Sequence, residues 1–436
     1  MAACAGISPA FFVQTSAFSP MHVLVIGAGL SGLLASLLLS ERGHRVTILE
    51  ARAAPCRAAS FSAVAAAGDA APAMPAEALG LGERLKRRIS CERGPLRYSA
   101  AAALKQSRFV GTLSALCREA SAERLAEAAQ AAAARSAHLL DEMAARRGLS
   151  LEKSVGLLKI SESPAPEAEG AETLLSEAYA RAAQPMLADA LNLRGGALFN
   201  PDAFTFSSSL LAREAKEALS QAADVDILSN TTATGLLRSS SSGRIIGAAT
   251  ASGSVSADAV LVAAGLGSGA LLPADAIPGA ALAPVTRPML IGVKADSAAH
   301  TPVGLLFEGG YLAAPVAEEI RICGPWLLGE ADALDLKAPY KALWEAAMHF
   351  IPESAHWSKG RYLAQSILAA PDGFGLAGAT ALSGLFAFTA GGLHGGDFCA
   401  LGAKLAADAV ERDALGADPT EDERLFGSAF SPMRFA

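Results

Sequence analysis

The stretch Val23-Leu-Val-Ile-Gly-Ala-Gly-Leu-Ser-Gly32 decides how the first part of the chain is expected to fold. An apolar run that favours a β-strand is followed at once by a glycine-rich turn and then by the helix-favouring run Leu33–Leu39. A second apolar run, Arg45–Leu49, ends in Glu50. Strand, glycine turn, helix, strand and acid in this order predict a βαβ unit that binds a dinucleotide. The alternative is an ordinary βαβ unit with a glycine turn.

The three glycines have separate expected roles. Gly27 permits the tight turn, Gly29 lets the backbone approach a pyrophosphate, and Gly32 lets helix and strand pack closely. The helix then begins near Leu30 and Ser31, where unpaired N–H groups and the positive end of the helix dipole face the phosphates.

The acid at the end of the second strand is the second half of the pattern. Glu50 is predicted to accept hydrogen bonds from a ribose diol. Ala51 and Arg52 follow it directly, so we expect them to lie beside the same cofactor.

Size and composition narrow the class of protein. A chain of 436 residues predicts two domains. The sequence contains no run of about twenty strongly apolar residues, so we expect no transmembrane helix. The net charge of −7, with no basic stripe, argues against a nucleic-acid partner. The six cysteines form no CxxC pair, so we expect reduced thiols in a cytosolic protein and no metal site. Residues 1–20 are expected to be a loose N-terminal extension, or translation starts at Met21.

Composition and periodicity predict further elements along the chain. Residues 112–147 favour helix, 195–202 a short strand and turn, and 206–222 a helix. Farther on, the pattern predicts strands within 285–294 and 305–325, a helix at 333–350, a strand at 382–388 and a last helix at 397–412.

Two later segments indicate proximity to the same cofactor. The strand-like run Ala259–Ala264 stops at Gly265, and a glycine-rich turn around Gly391 and Gly392 leads into a helix. Such a turn offers backbone N–H groups to an anion or a carbonyl oxygen. The alternatives are a plain buried strand in the first case and a flexible loop in the second.

In this order, the segments resemble the FAD-dependent D-amino-acid oxidase superfamily, and most closely its D-amino-acid dehydrogenase small-subunit branch. The segments that carry the resemblance are Val23–Arg52, Ala59–Phe61, Gly195–Ala212, Ala257–Ser268, Pro371–Gly373 with Gly378, and Leu385–Ala409. The resemblance implies FAD as cofactor and an α/β fold with a Rossmann-like FAD-binding domain and a second, α+β substrate domain whose sheet roofs the flavin. We expect the FAD domain to comprise 21–95, 195–284 and 365–436, and the substrate domain 96–194 and 285–364.

The same resemblance assigns roles to residues. Ser60 is expected near the phosphates or the ribityl chain, and Gly265 near the cofactor. N–H groups of Gly391, Gly392, Leu393 and His394 are expected at the pyrimidine edge of the flavin, where they would stabilise negative charge on its reduced form.

The chain departs from the family at the substrate. The family's carboxylate-binding arginine, four residues before Pro-Asp-Gly, is Ile367 here. Arg361 has the same strand parity but lies about 20 Å away along a strand, so it cannot simply substitute. We therefore expect simple D-amino acids to be poor substrates unless Arg287 or Arg321 takes over.

Four residues are candidates for the catalytic site. His394 lies inside the glycine turn, and the other three lie in strand-like segments: Tyr311, Arg287 and Arg321. A surface histidine, a core tyrosine and surface arginines are the alternatives.

The resulting prediction is FAD-dependent oxidation of the C–N bond of a small-molecule amine or amino acid by hydride transfer, with oxygen or a quinone as electron acceptor. The alternatives are a flavin oxidoreductase acting on a substrate without a carboxylate, and a flavoprotein subunit with little activity of its own. The expected location is cytoplasmic, or peripheral at the inner face of a membrane. The oligomeric state stays open.

Overall fold

The structure is a computed structural model. It describes residues 20–53, 64–67, 82, 85–86, 89–91, 95–117, 119–162, 168, 172–193, 195–296, 303–389 and 395–436. Strands and helices of these residues are numbered below in chain order.

A six-stranded sheet has the order β19-β20-β12-β1-β2-β8. All its pairings are parallel except that of the edge strand β19 with β20. Its strands are β1 His22–Ile26, β2 Arg45–Leu49, β8 Val225–Leu228, β12 Ala259–Val262, β19 Leu376–Ala379 and β20 Leu385–Thr389. Both faces of this sheet are covered, which agrees with the apolar runs Val23–Ile26 in β1 and Ala259–Val262 in β12.

Helices cover one face of the six-stranded sheet. Val23 and Val25 of β1 point into a core that they share with four helices. These are α1 Leu30–Glu41, α4 Glu119–Arg147, α6 Ser208–Ser220 and α9 Cys399–Leu415. Leu24 and Ile26 point to the other face, where a three-stranded antiparallel sheet lies: β9 Ala233–Arg238, β10 Ile245–Thr250 and β11 Gly253–Ser256.

A larger sheet contains eleven strands in the order β3-β7-β5-β14-β15-β16-β13-β17-β4, with β18 beside β13 and β6 beside β7. Its strands are β3 Val64–Ala67, β4 Leu96–Arg97, β5 Ser154–Ile160, β6 Thr173–Leu175, β7 Ala197–Ser207, β13 Ala283–Val293, β14 Gly304–Phe307, β15 Tyr311–Val316, β16 Glu319–Cys323, β17 Trp326–Leu328 and β18 Arg361–Ala369. The remaining described helices are α2 Ala100–Lys105, α3 Ser107–Leu116, α5 Glu177–Ala183, α7 Ser268–Leu271, α8 Lys337–Phe350 and α10 Glu421–Phe430.

The two faces of the eleven-stranded sheet differ in what covers them. Since side chains alternate along a strand, register assigns each residue to a face. Leu290, Leu305 and Phe307 pack on one face against Leu343 and Ala347 of α8, which we call the helix-covered face. Met289, Leu312 and Cys323 lie on the opposite face, which we call the roof face.

Charged side chains join the helices around the parallel sheet. The buried carboxylate of Asp408 accepts hydrogen bonds from Arg42 at 2.7 Å, Lys404 at 2.6 Å and the Thr420 hydroxyl at 2.7 Å. Asp422 of α10 accepts two from Arg135 of α4, at 2.8 and 2.9 Å. These bonds connect α1, α4, α9 and α10.

Two predicted elements differ from those observed. The short strand predicted at 195–202 is the eleven-residue strand β7, and α6 begins at Ser208 because the Ser207 hydroxyl caps it by accepting from Leu210 N at 3.2 Å. The helix predicted over 112–147 is interrupted between Leu116 and Glu119. Its two parts bury their apolar faces in different cores, so the chain must turn between them.

Sheet membership divides the chain differently from the predicted domain ranges. Strands β3 and β7 pair within the eleven-stranded sheet, although both lie in ranges assigned to the FAD domain. Strand β18 crosses the predicted boundary between 364 and 365, because it pairs with β13 along its whole length. Helix α4, assigned to the substrate domain, packs into the core beside the six-stranded sheet.

Candidate functional site

The candidate cofactor site lies at the carboxyl edge of the six-stranded sheet. The chain runs from β1 outward to β2 and β8, then crosses to β12 on the other side of β1. Ligands of open α/β sheets bind at such a switch in strand order, outside the carboxyl ends of the strands. The segments that follow β1, β2 and β12 begin at this edge with Gly27, Glu50 and Ala263, and Thr389, the last residue of β20, lies at the same edge.

The glycines of the first turn divide into two kinds. A Cβ at Gly27, whose φ is +114°, would collide with the carbonyl of Ala263, and one at Gly32 would collide with the carbonyl of Gly27. These two glycines therefore permit close packing between backbone segments. A Cβ at Gly29 would meet no described atom within 4 Å, so the described part of the chain leaves the space beside this residue open.

The N-terminus of α1 opens onto that space. Gly29 is the N-cap residue, and among the described residues no side chain caps the helix. The N–H groups of the first turn, which includes Leu30 and Ser31, therefore have no capping side chain there, and no acidic side chain lies in that turn. An open cradle with a positive helix end fits the pyrophosphate of a dinucleotide.

Glu50 is held in place by backbone groups on both sides. Its Oε2 accepts from Ala28 N at 3.0 Å and its Oε1 from Arg52 N at 2.9 Å. The loop after β8 closes on this segment, because Asn230 N donates to Arg52 O at 3.1 Å and Thr231 N to Glu50 O at 2.8 Å. Each carboxylate oxygen can accept a further hydrogen bond, so the arrangement fits a ribose diol. Ala51 and Arg52 are exposed beside it.

A pair of buried hydroxyls supports the turn that follows β12. Gly265 has a φ of +58° and begins a 3₁₀ turn that ends at Gly267. Thr389 Oγ1 lies 2.8 Å from Ser268 Oγ and 3.4 Å from Gly265 O. Sequence reasoning missed Ser268 and Thr389. The available signal was a hydroxyl residue placed directly beside each glycine turn.

Some predicted cofactor contacts fall outside the described residues. These are Ser60, Gly391, Gly392, Leu393 and His394. Their roles stay predictions.

The structure separates the remaining catalytic candidates onto two faces. Tyr311 pairs with Phe307 and packs into the core of the helix-covered face. Register places Arg287 and Arg321 on the roof face, since Met289 and Cys323 lie there. The two arginines therefore share a surface, and Tyr311 does not lie on it.

The two arginines have different partners. Arg321 donates to Glu319 through Nε at 3.0 Å and Nη2 at 2.9 Å, and Arg361 donates to the same carboxylate at 2.7 Å. Arg287 donates through Nε to the backbone oxygen of Gly324 at 3.0 Å, and its guanidinium lies 5.3 Å from the ring centroid of Trp326.

Ile367 lies at the position where the family resemblance predicts an arginine. It lies opposite Val285 in the β13–β18 pair, which places it on the roof face with Arg287. Its half-buried side chain packs against an apolar cluster that contains Tyr98, Phe109 and Trp326. This position therefore contributes apolar surface and no charge.

The described cysteines are unsuited to catalysis or metal binding. Cys91, Cys117, Cys323 and Cys399 are buried. Burial, together with the nearby Asp397, raises the pKa of Cys399 to about 12, so its thiol stays protonated. Within the described ranges, no group of histidine, cysteine or acidic side chains is arranged to hold a metal ion.

A glycine turn and an open helix N-terminus at the switch of a parallel sheet, beside a second sheet, are the arrangement of a dinucleotide-binding enzyme. The family model of FAD dependent oxidoreductases (DAO) matches residues 22–409. The chain therefore belongs to this family, whose cofactor is FAD.

Comparison with solved structures supports the same fold. Glycine oxidase from Bacillus cereus ATCC 14579 has a TM-score of 0.63 at 16% identity, over 93% of this chain and 97% of that one. L-proline dehydrogenase from P. horikoshii gives 0.63 at 17% identity, over 95% and 98% of the two chains. L-amino acid deaminase from Proteus vulgaris, lacking its specific insertion sequence, gives 0.62 at 18% identity, over 96% of each chain. At these identities the likeness shows the fold alone.

Curated relatives match over a short stretch. An L-amino-acid oxidase of Gloydius halys is 61% identical over 33 residues, which are 8% of this chain and 6% of that protein. L-amino acid oxidase Lm29 of Lachesis muta is 58% identical over the same length and shares. The chain thus spans less than a tenth of the length of these relatives.

None of the described helices has the length and apolar character needed to cross a bilayer.

Proposed function

We propose that this protein oxidises the C–N bond of a small-molecule amine or amino acid, with FAD as the resident cofactor. The observation that carries the proposal is the open cradle at Gly29, beside the switch in strand order, next to a second sheet. The backbone at Gly27–Gly32 would hold the pyrophosphate, and Glu50 would hold the adenosine ribose. Gly265 would lie beside the cofactor at the end of β12.

The names of the structural neighbours favour this substrate class. Glycine oxidase, L-proline dehydrogenase and L-amino acid deaminase are named for amino acids that carry an amine beside a carboxylate. A substrate without a carboxylate is the second candidate, and the observation that favours it is Ile367 at the family's arginine position.

Bound FAD would supply a two-electron acceptor, so that an amine becomes an imine that water then hydrolyses. The chain's own contribution is positioning more than strong base chemistry. The roof face would orient the amine, and the apolar cluster beside Ile367 would exclude water from it. We further propose a cytoplasmic location, or peripheral attachment at the inner face of a membrane, and oxygen or a quinone as final electron acceptor.

A bound-flavin spectrum followed by anaerobic reduction tests the proposal. Purified protein should be yellow and should release FAD on acid precipitation. Under nitrogen, at least one member of a panel of amino acids and the corresponding amines should bleach the flavin absorbance.

Three outcomes bear on the proposal differently. Bleaching by amino acids supports the first candidate, and bleaching by simple amines alone supports the second. Stable yellow protein that no member bleaches would contradict the catalytic proposal and favour a flavoprotein subunit with little activity. Colourless protein that binds NADH and takes up no FAD would contradict the cofactor assignment.

A further inference from the structure

We propose that Arg287 binds the carboxylate of the substrate, so that the substrate is an amino acid whose apolar side chain lies against Ile367 and Trp326. The inference rests on the proposed function and names the substrate class of the same site. The positive charge that the family resemblance predicts at position 367 on β18 would thus be supplied by Arg287 on the neighbouring strand β13.

Charge pairing singles out Arg287 among the arginines of the roof face. Arg321 and Arg361 share the carboxylate of Glu319, at 2.9 and 2.7 Å. Within the described part of the chain, no carboxylate lies within ion-pair distance of Arg287, whose contacts are the Gly324 carbonyl and the Trp326 ring. A half-buried guanidinium that faces no described carboxylate can take an anionic ligand as its counter-ion.

The geometry of the side chain suits a carboxylate. The Nε bond to Gly324 O and the ring of Trp326 fix the plane of the guanidinium. This leaves the two terminal nitrogens for a bidentate pair, which is the preferred geometry of arginine with a carboxylate. A side chain held in this way loses less rotamer freedom when it binds a ligand.

Register brings this charge beside the apolar surface. Arg287 lies opposite Gln365, so Ile367 is its diagonal neighbour on the same face. Such neighbours are about 7–8 Å apart at Cα, within reach of a long side chain. Trp326 belongs to the cluster that Ile367 packs against and also carries the Arg287 guanidinium. A cationic subsite for a carboxylate and an apolar subsite therefore lie side by side.

The end of β18 that carries Ile367 lies near the cofactor cradle, since the adjacent Leu368 shares an apolar cluster with Ala264 and Leu272, which flank the turn after β12. Strand β18 packs against the turn from Gly265 to Gly267. An amino acid held at Arg287 and Ile367 would therefore lie near the carboxyl edge of the parallel sheet, where FAD binding is assigned.

The test compares the holoenzyme with Arg287→Gln and Arg287→Lys. The dissociation constant of propionate, a carboxylate without an amine, is measured from the change it causes in the flavin spectrum. It should rise about 30-fold or more in Arg287→Gln, and less in Arg287→Lys, which keeps the charge but loses the fork. Arg361→Gln is the matched control, and its propionate constant should stay within about twofold of wild type.

Anaerobic flavin reduction provides the second measurement. Leucine, phenylalanine and proline should reduce the wild-type flavin faster at low concentration than aspartate or lysine. In Arg287→Gln the KM for the preferred amino acid should rise more than kcat falls. Reduction by the corresponding amine should change by less than about twofold, since the amine makes no contact with the guanidinium.

Each outcome decides a separate question. Propionate binding that is equal in wild type and Arg287→Gln, with both proteins folded by circular dichroism, would overturn the inference. So would a wild-type enzyme that amines and amino acids reduce equally well. If Arg287→Gln fails to fold, Arg287→Lys decides, because undiminished propionate binding there would contradict the bidentate contact. If propionate binds at Arg287 but nothing reduces the flavin, the carboxylate site at Arg287 stands, whereas the proposed function and the substrate class fail.

Discussion

The carboxyl edge of the parallel sheet and the roof face of the eleven-stranded sheet form their sites from different materials. At the carboxyl edge, the site consists mainly of backbone groups: the glycine turn, the amides of α1 and the backbone groups that hold Glu50. On the roof face, the proposed subsite uses side chains from β13, β17 and β18, and these strands begin at Ala283, Trp326 and Arg361. A backbone site requires glycines at fixed spacing and so leaves a motif. A side-chain site requires only that register bring residues together.

The largest expected effect is a loss of FAD affinity at the carboxyl edge of the parallel sheet. Gly29→Asp places a carboxylate in the open space at the cradle, where it would repel the pyrophosphate. Unit charges about 4 Å apart at an effective dielectric near 20 interact by on the order of 4 kcal/mol, which is about a thousandfold in FAD affinity. Fluorescence titration of the apoprotein with FAD measures it.

The matched control is Gly111→Asp in α3, because a Cβ there also meets no described atom within 4 Å. It should retain FAD. A folded Gly29→Asp protein with ordinary FAD occupancy would show that the phosphates bind elsewhere.

The next largest effect is a difference in unfolding free energy between substitutions at Gly27, a packing glycine, and at Gly29, which faces open space. Gly27→Ala forces a side chain into a positive φ and against the Ala263 carbonyl, which should cost roughly 3 kcal/mol of unfolding free energy. Gly29→Ala should cost little, since its methyl group would meet no described atom within 4 Å. Urea denaturation of both apoproteins measures the difference. Equal loss in the two variants would mean that Gly27 is not the packing glycine.

The smallest expected effect concerns the ion pair between Arg135 and Asp422, which joins helices α4 and α10. Arg135 hydrogen bonds, opposed by burial, hold the pKa of Asp422 below its usual value. Asp422→Asn should therefore lower the unfolding free energy by about 2 kcal/mol at neutral pH, while FAD affinity stays unchanged. Because the folded-state pKa is depressed, this contribution is fully present above the unfolded-state pKa and is lost as pH falls through the folded-state pKa.

A pH series checks the sign of this effect. The Tm difference between wild type and Asp422→Asn should be constant between pH 6 and 8 and should shrink below about pH 4. A difference that grows as the solution is acidified would contradict the assigned pairing.

The extent of sequence-based prediction follows the same division. Gly27, Gly29, Gly32 and Glu50 were assigned to one end of a parallel sheet because local order of strand, turn and helix determines their placement. The FAD-dependent family and the two-part α/β fold were confirmed. The facing of Tyr311 away from Arg287 was not predictable, because it depends on the register of β14, β15, β16 and β13. Nor does any local pattern show that Glu319 binds Arg321 and Arg361.

The order of strands across the parallel sheet also determines when the cradle can be completed during synthesis. Strand β1 lies between β2, which follows it closely, and β12, which begins at Ala259; β12 in turn needs β20, which ends at Thr389. At about 5–20 residues per second, the first βαβ unit leaves the ribosome roughly tens of seconds before its last neighbours. Uptake of FAD should therefore be a late event in biogenesis. Since a ligand that binds only the native state stabilises it, the cofactor would then secure contacts between the first and last parts of the chain.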